Sequence, residues 1–106
     1  MAVEDGVVVG FATVTARPDP TGAGELLALY VDPERWGEGI GGRLLARARA
    51  ALVAQGCTTA TLWVLAGNER AERLYRRDGW RDDGRRRSVE VWGIDADEAG
   101  FRRALP

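Results

Sequence analysis

Leu29-Tyr30-Val31-Asp32-Pro33-Glu34-Arg35-Trp36-Gly37-Glu38-Gly39-Ile40-Gly41-Gly42-Arg43-Leu44-Leu45 is the stretch that decides how this chain folds. It opens at the end of a short apolar run, Glu25–Val31, of strand length. Asp32-Pro33 stops that run, because the residue before a proline is held away from helical backbone angles. Four glycines follow, at 37, 39, 41 and 42, and then the period changes. Leu44, Leu45, Ala48 and Leu52 fall on one helical face, with Arg43, Arg47 and Ala50-Ala51 around the rest. Gly56, after Gln55, is placed to end that helix, and Thr58–Leu65 returns to strand character. Strand, glycine turn, helix and strand imply a right-handed parallel crossover. The first N–H groups of a helix have no partner inside it, and glycines let an anion approach the backbone closely. Each exposed anion–dipole contact contributes only about 0.3–1 kcal/mol, so several N–H groups must converge. Gly37, Gly39, Gly41 and Gly42 are spaced to supply them.

Before this stretch, Val7–Thr15 is β-branched and aromatic and predicts a strand. Glu4-Asp5-Gly6 before it is a tight-turn signal, which makes Met1–Val3 the stub of a partner strand. Arg17 to Gly24, with two prolines and two glycines, reads as a loop. Beyond Leu65, Asn68 is a good N-cap for a second helix, with Glu69 and Glu72 near its positive end. Ala71, Leu74 and Tyr75 lie along one side of it, and Asp78-Gly79 ends it. Trp80–Asp82 and Ser88–Ile94 predict two strands around an Asp83-Gly84 turn, and Asp97–Leu105 a short C-terminal helix. The order β-β-β-α-β-α-β-β makes the class α/β or mixed α+β.

Composition narrows the chemistry. A chain of 106 residues supports one domain with a core of its own. There is no histidine, so imidazole acid–base work and histidine metal ligation are excluded. All fifteen positive charges are arginine, which excludes a P-loop lysine and a Schiff base. The single cysteine, Cys57, allows no internal disulfide and no cysteine-rich metal cage, and reads as a small buried thiol. A net charge of −1 argues against nucleic acid as a partner. No apolar run reaches the roughly 20 residues of a membrane span, and the start lacks signal-peptide character, so the expected setting is cytoplasmic. Charge is uneven all the same: eight arginines fall between Arg70 and Arg87, either a solvated face or a basic rim beside a phosphate-bearing ligand.

The glycine turn fits neither common nucleotide motif. A dinucleotide fingerprint needs the strand immediately before the glycines, whereas the Asp-Pro-Glu-Arg loop intervenes. What the residues resemble is the GNAT superfamily of N-acetyltransferases. Its diphosphate motif, Gln/Arg-x-x-Gly-x-Gly/Ala, corresponds to Trp36-Gly37-Glu38-Gly39-Ile40-Gly41, with Trp36 in place of the Gln or Arg and Arg35 beside it. Leu29, Val31 and Pro33 match the family's approach to the turn. Asn68, Ala71, Leu74, Tyr75, Gly79 and Trp80 match its Asn-x-x-Ala-x-x-Leu-Tyr-x-x-x-Gly-aromatic motif. The likeness covers about Val7 to Ile94.

That resemblance implies a mixed sheet with a βαβ acetyl-CoA-binding core, and acetyl transfer to a small-molecule or protein amine without a metal. It implies that the backbone of Leu29 and Val31 pairs with the pantetheine arm, and that Trp36, Gly37, Glu38, Gly39, Ile40, Gly41 and Gly42 surround the diphosphate. Asn68 would bind the pantetheine or cap its helix. Tyr75 would protonate the departing thiolate, and Glu25, six residues before Val31, would accept the amine's proton. Strict alternation would put Glu25 on one side of the strand with Leu27, Leu29 and Val31. Arg73 or Arg77 would meet the 3′-phosphate. The family's first strand and helices precede the segment matched here, so the fold is expected to be shortened at its N-terminus, with an exposed sheet edge that favours a homodimer. The alternative is a non-catalytic acyl-CoA-binding or dimerising module of the same fold.

Overall fold

The computed structural model describes residues 2–4, 7–15 and 22–105. Six strands, β1 (Ala2–Glu4), β2 (Val7–Thr15), β3 (Ala23–Val31), β4 (Thr59–Leu65), β5 (Arg81–Val91) and β6 (Ile94–Ala104), form one sheet in the order β1-β2-β3-β4-β6-β5. Only β3 and β4 run parallel, and the helix α1 (Ile40–Ala54) connects them, as the change of period predicts. The second helix, α2 (Glu69–Arg77), lies between β4 and β5. The class is mixed α+β. Of the expected Glu4-Asp5-Gly6 turn and Arg17–Gly24 loop, Asp5, Gly6 and residues 17–21 lie outside the described residues.

Both helices pack on one face of the sheet. Leu45, Ala48 and Leu52 of α1 and Tyr75 of α2 join Leu26, Leu62, Val64, Ala99 and Phe101 from the strands in one buried core. Each helix ends in a Schellman motif: Cys57 N–H donates to Leu52 O and Gly56 N–H to Val53 O after α1, and Trp80 N–H to Tyr75 O and Gly79 N–H to Arg76 O after α2. Asp78, at the end of α2, ties the helices together. Its carboxylate accepts two bonds of 2.9 Å from Arg49 of α1 and one of 2.9 Å from the indole N–H of Trp80. The other sheet face carries no helix among the described residues. Phe11 stacks on Tyr30 there at 5.6 Å, and Trp63 lies under the guanidinium groups of Arg85 and Arg87.

The C-terminal half differs from expectation in two ways. Asp97–Leu105 is not a helix; residues 94–104 are the strand β6, paired with both β4 and β5. Helix-forming Ala, Glu and Arg yield there to long-range pairing that buries Ala99 and Phe101 at period two. Nor does Asp83-Gly84 reverse the chain. The carboxylates of Asp82 and Asp83 accept from the N–H groups of Gly84 and Arg85, which folds the segment into a bulge inside one continuous strand, β5. The reversal comes at Trp92-Gly93, inside the expected Ser88–Ile94 strand, with both residues at positive φ (53° and 79°) as a two-residue type I′ turn demands.

Candidate active site

The strand β3 carries one irregularity, and the site begins at it. Thr13 pairs with Ala28 and Val14 with Leu26, which leaves Leu27 as the extra residue of a bulge. Pairing of β3 with β4 stops at the same place, at Leu26–Leu62. A bulge bends its strand, and here the two parallel strands part beyond it. The bulge also reverses the facing of side chains. Leu26, Leu29 and Val31 all pack towards α1, whereas Glu25 falls on the bare face, in register with Thr15 and Thr61. Expected alternation of Glu25 with Leu29 and Val31 is therefore overturned, because the bulge inserts one residue between them. The adjacent leucines, Leu26-Leu27, were the available signal.

The ladder phase aims β3 at the gap. Asp32 N–H donates to Val9 O at 2.7 Å, so Gly10–Val31 and Ala12–Leu29 are the non-hydrogen-bonded pairs. The N–H and C=O groups of Leu29 and Val31 consequently point away from β2, into the opening beside β4. The indole N–H of Trp36 donates to Val31 O at 3.0 Å.

At the top of this opening α1 begins without a side-chain cap. Its N-cap is Gly39, in the left-handed region at φ 80°, and Gly37 sits at φ 89°. A side chain at either position would be strained. Arg43 N–H is the first to bond back into the helix, to Gly39 O. The N–H groups of Gly37, Gly39, Ile40, Gly41 and Gly42 have no hydrogen-bond partner among the described residues. A Cβ on Gly37, Gly39 or Gly42 would meet open space, whereas one on Gly41 would come within 3.0 Å of Leu74, where α2 closes against the turn. Unbonded N–H groups at the positive end of a 15-residue helix, bordering open space at Gly37, Gly39 and Gly42, make an anion cradle.

The opening is a cleft of about 710 Å³ between the β3–α1 loop and α2. Leu29, Val31, Trp36, Gly37, Gly39, Gly41, Gly42, Asn68 and Tyr75 line it, so nearly all residues singled out from the sequence meet in one place. Glu38 does not line it; its carboxylate accepts from Arg35 at 3.3 Å. Ile40 does not line it either, and its side chain is buried with Val9 and Leu44. Asn68 caps α2 through its Oδ1, which accepts from Ala71 N–H at 3.2 Å. Tyr75 is 8 % exposed, set edge-on to Trp80, and desolvation raises its phenol above the usual value. The arginine run divides: Arg70, Arg73 and Arg77 of α2 line the cleft with Arg35, while Arg81, Arg85, Arg86 and Arg87 lie on β5. Arg70 is the member whose place the sequence does not mark.

The profile of the acetyltransferase (GNAT) family matches residues 1–80. The chain belongs to the GNAT acetyltransferase family. Its relatives include the mycothiol acetyltransferase of Acidimicrobium ferrooxidans, 39% identical over 82 residues, which are 76% of this chain and 26% of that protein. The corresponding enzyme of Clavibacter michiganensis subsp. michiganensis is 38% identical over 78 residues, 74% of this chain and 24% of that one. The matched segment thus spans about a quarter of these relatives' length. Among solved structures, the ribosomal-protein-alanine N-acetyltransferase from Brucella melitensis superposes with a TM-score of 0.82 at 27% identity, over 98% of this chain and 66% of that one. An N-acetyltransferase from Staphylococcus aureus Mu50 gives 0.81 at 28% identity, over 98% and 65%.

Proposed function

We propose that this GNAT domain binds acetyl-CoA in the cleft and transfers its acetyl group to an amine. The observation that carries the proposal is the coincidence of two features: β3 and β4 part after Leu26–Leu62, and Gly37, Gly39, Gly41 and Gly42, with unbonded N–H groups, line the same opening. The diphosphate takes the N–H groups of the glycine turn, and the pantetheine amides take the outward backbone groups of Leu29 and Val31. Val31 O already serves Trp36, so its N–H and the Leu29 pair carry more of that contact. Arg73 or Arg77 meets the 3′-phosphate. In the reaction the amine lone pair attacks the thioester carbon, the C–N bond forms and the C–S bond breaks. Tyr75 gives its proton to the departing thiolate, and the amine's proton leaves towards the bare face. Glu25 is the carboxylate that β3 presents on that face, roughly 10–13 Å down the strand from Leu29 at the usual rise, and takes the proton through intervening water. Glu25→Gln is then expected to lower kcat while leaving acetyl-CoA affinity unchanged; an unaltered kcat removes Glu25 from the mechanism.

Acceptor screening would start from the amine substrates of mycothiol acetyltransferases and from peptides with an N-terminal alanine. The bare sheet face favours a second reading, a non-catalytic acyl-CoA-binding or dimerising module, because no described element covers that side. A cytoplasmic setting fits either reading. Calorimetric titration of acetyl-CoA, with CoA and ATP as controls, tests both. Micromolar binding of acetyl-CoA but not ATP supports the cofactor site, and thiol release with an amine then separates enzyme from module. A folded sample that binds neither CoA nor acetyl-CoA overturns both readings.

A further inference from the structure

Trp36 ends the single 3-10 turn at Pro33–Arg35 and is 47 % exposed, yet its ring is fixed on two sides. Its indole N–H is held by Val31 O at 3.0 Å, which sets the ring plane at the end of β3. The guanidinium of Arg70 lies 3.8 Å from the ring centroid. Arg70 is the second residue of α2 and so stands on the opposite wall of the cleft. Both side chains line the opening, and their contact bridges its two walls.

Stacking uses the face of a guanidinium and leaves its in-plane N–H groups available. Arg70 has no carboxylate partner among the described residues, whereas Arg35 pairs with Glu38 at 3.3 Å and Arg76 with Glu72 at 3.3 Å. Arg73 lies 3.9 Å from Glu69. An exposed arginine normally loses side-chain entropy when it is held in one place. Here the indole holds it over the cleft that the glycine turn also lines, with no carboxylate partner among the described residues to neutralise it. A planar fork with unspent donors suits an anion with several oxygens.

We propose that Arg70, set over the indole of Trp36, is the side-chain half of a diphosphate site whose backbone half is the glycine turn. The diphosphate is held from both walls of the cleft, and Trp36 positions Arg70. This assignment rests on the acetyl-CoA reading above, and a ligand series separates the two. Binding of CoA, dephospho-CoA and pantetheine is measured for the wild type, Arg70→Gln, Arg70→Lys, Trp36→Leu and the Gln/Leu double variant. Arg70→Gln is expected to weaken CoA and dephospho-CoA alike by about tenfold and to leave pantetheine unchanged, since one charge-assisted contact is removed. Arg70→Lys should recover less than half of that loss, because an ammonium neither forks nor lies flat. Trp36→Leu should cost a similar factor, and the double variant no more than the larger single loss. Wild-type affinity in Arg70→Gln overturns the proposal while the cofactor site stands. A loss confined to CoA reassigns Arg70 to the 3′-phosphate, an equal loss for pantetheine shows general damage, and additive losses show that Trp36 does not act through Arg70; each overturns it. A folded wild type that binds no CoA removes the cofactor reading, and this site with it.

Discussion

A phenol serves as a proton donor only while it keeps its proton, and burial secures that for Tyr75. Its folded-state value lies above the ordinary 10.0, so the stability it contributes is full below pH 10 and is lost as pH rises through the folded value. The same direction sets the activity profile: no alkaline loss of rate from this group is expected below pH 10. Tyr75→Phe is expected to lower kcat by about 10²-fold without changing the acetyl-CoA Kd, since proton donation acts on the leaving group and not on binding. Steady-state kinetics beside calorimetry decides it, and full turnover in the variant removes Tyr75 as the acid. Most residues of this site were legible in the sequence because glycine turns and helix caps are local: four glycines and an asparagine state their backbone role within a few positions. Arg70 was not, since nothing near it in the chain reports that Trp36, thirty-four positions earlier, will lie beneath it.

Between elements, a few polar contacts hold the cleft's wall in place. Asp78 couples α1 to α2 through Arg49 and to the start of β5 through Trp80, and its carbonyl also accepts from Arg103 of β6. Asp78→Ala leaves the half-buried Arg49 without its partner and is expected to cost about 2–3 kcal/mol, read as a lower urea midpoint with an unchanged m-value. The β5–β6 hairpin is under the opposite pressure. Trp92 is 98 % exposed at φ 53°, a position that a type I′ turn gives to asparagine or glycine. Trp92→Asn is expected to stabilise the domain by about 0.5–1 kcal/mol, raising Tm by roughly 2–8 °C, with acetyl-CoA affinity unchanged because the tip lies outside the cleft. No rise in Tm would mean that the tryptophan's contacts outweigh its backbone strain. This turn also shows why local signals misplace the C-terminal elements. Asp83-Gly84 carries the stronger local turn signal, but the pairing of β6 with seven consecutive residues of β4 sets where the hairpin must close. Register across a sheet is a long-range property, whereas turn signals are short-range.

Among the described residues, no helix covers the second face of the sheet. Phe11, Leu27 and Tyr30 are exposed on β2 and β3, and Leu27 shares the bare face with Glu25, two positions before it. Apolar groups clustered on an open sheet face mark a surface that another element covers. We expect a homodimer built on this face, with light scattering giving twice the 11.5 kDa chain mass at micromolar concentration. Leu27→Arg tests the location, because Leu27 is 54 % exposed and its replacement should leave the core intact. A shift to monomer in that variant, with acetyl-CoA affinity retained, places the interface on the bare face; a dimer that persists places it elsewhere, and a monomeric wild type removes the dimer. The outcome bears directly on chemistry. On the proposed reading the cleft would contact acetyl-CoA from both of its walls, whereas Glu25 and the side from which an amine would approach lie open. A second copy across Phe11 and Leu27 would close that side, so the monomeric variant should bind acetyl-CoA normally and lose turnover.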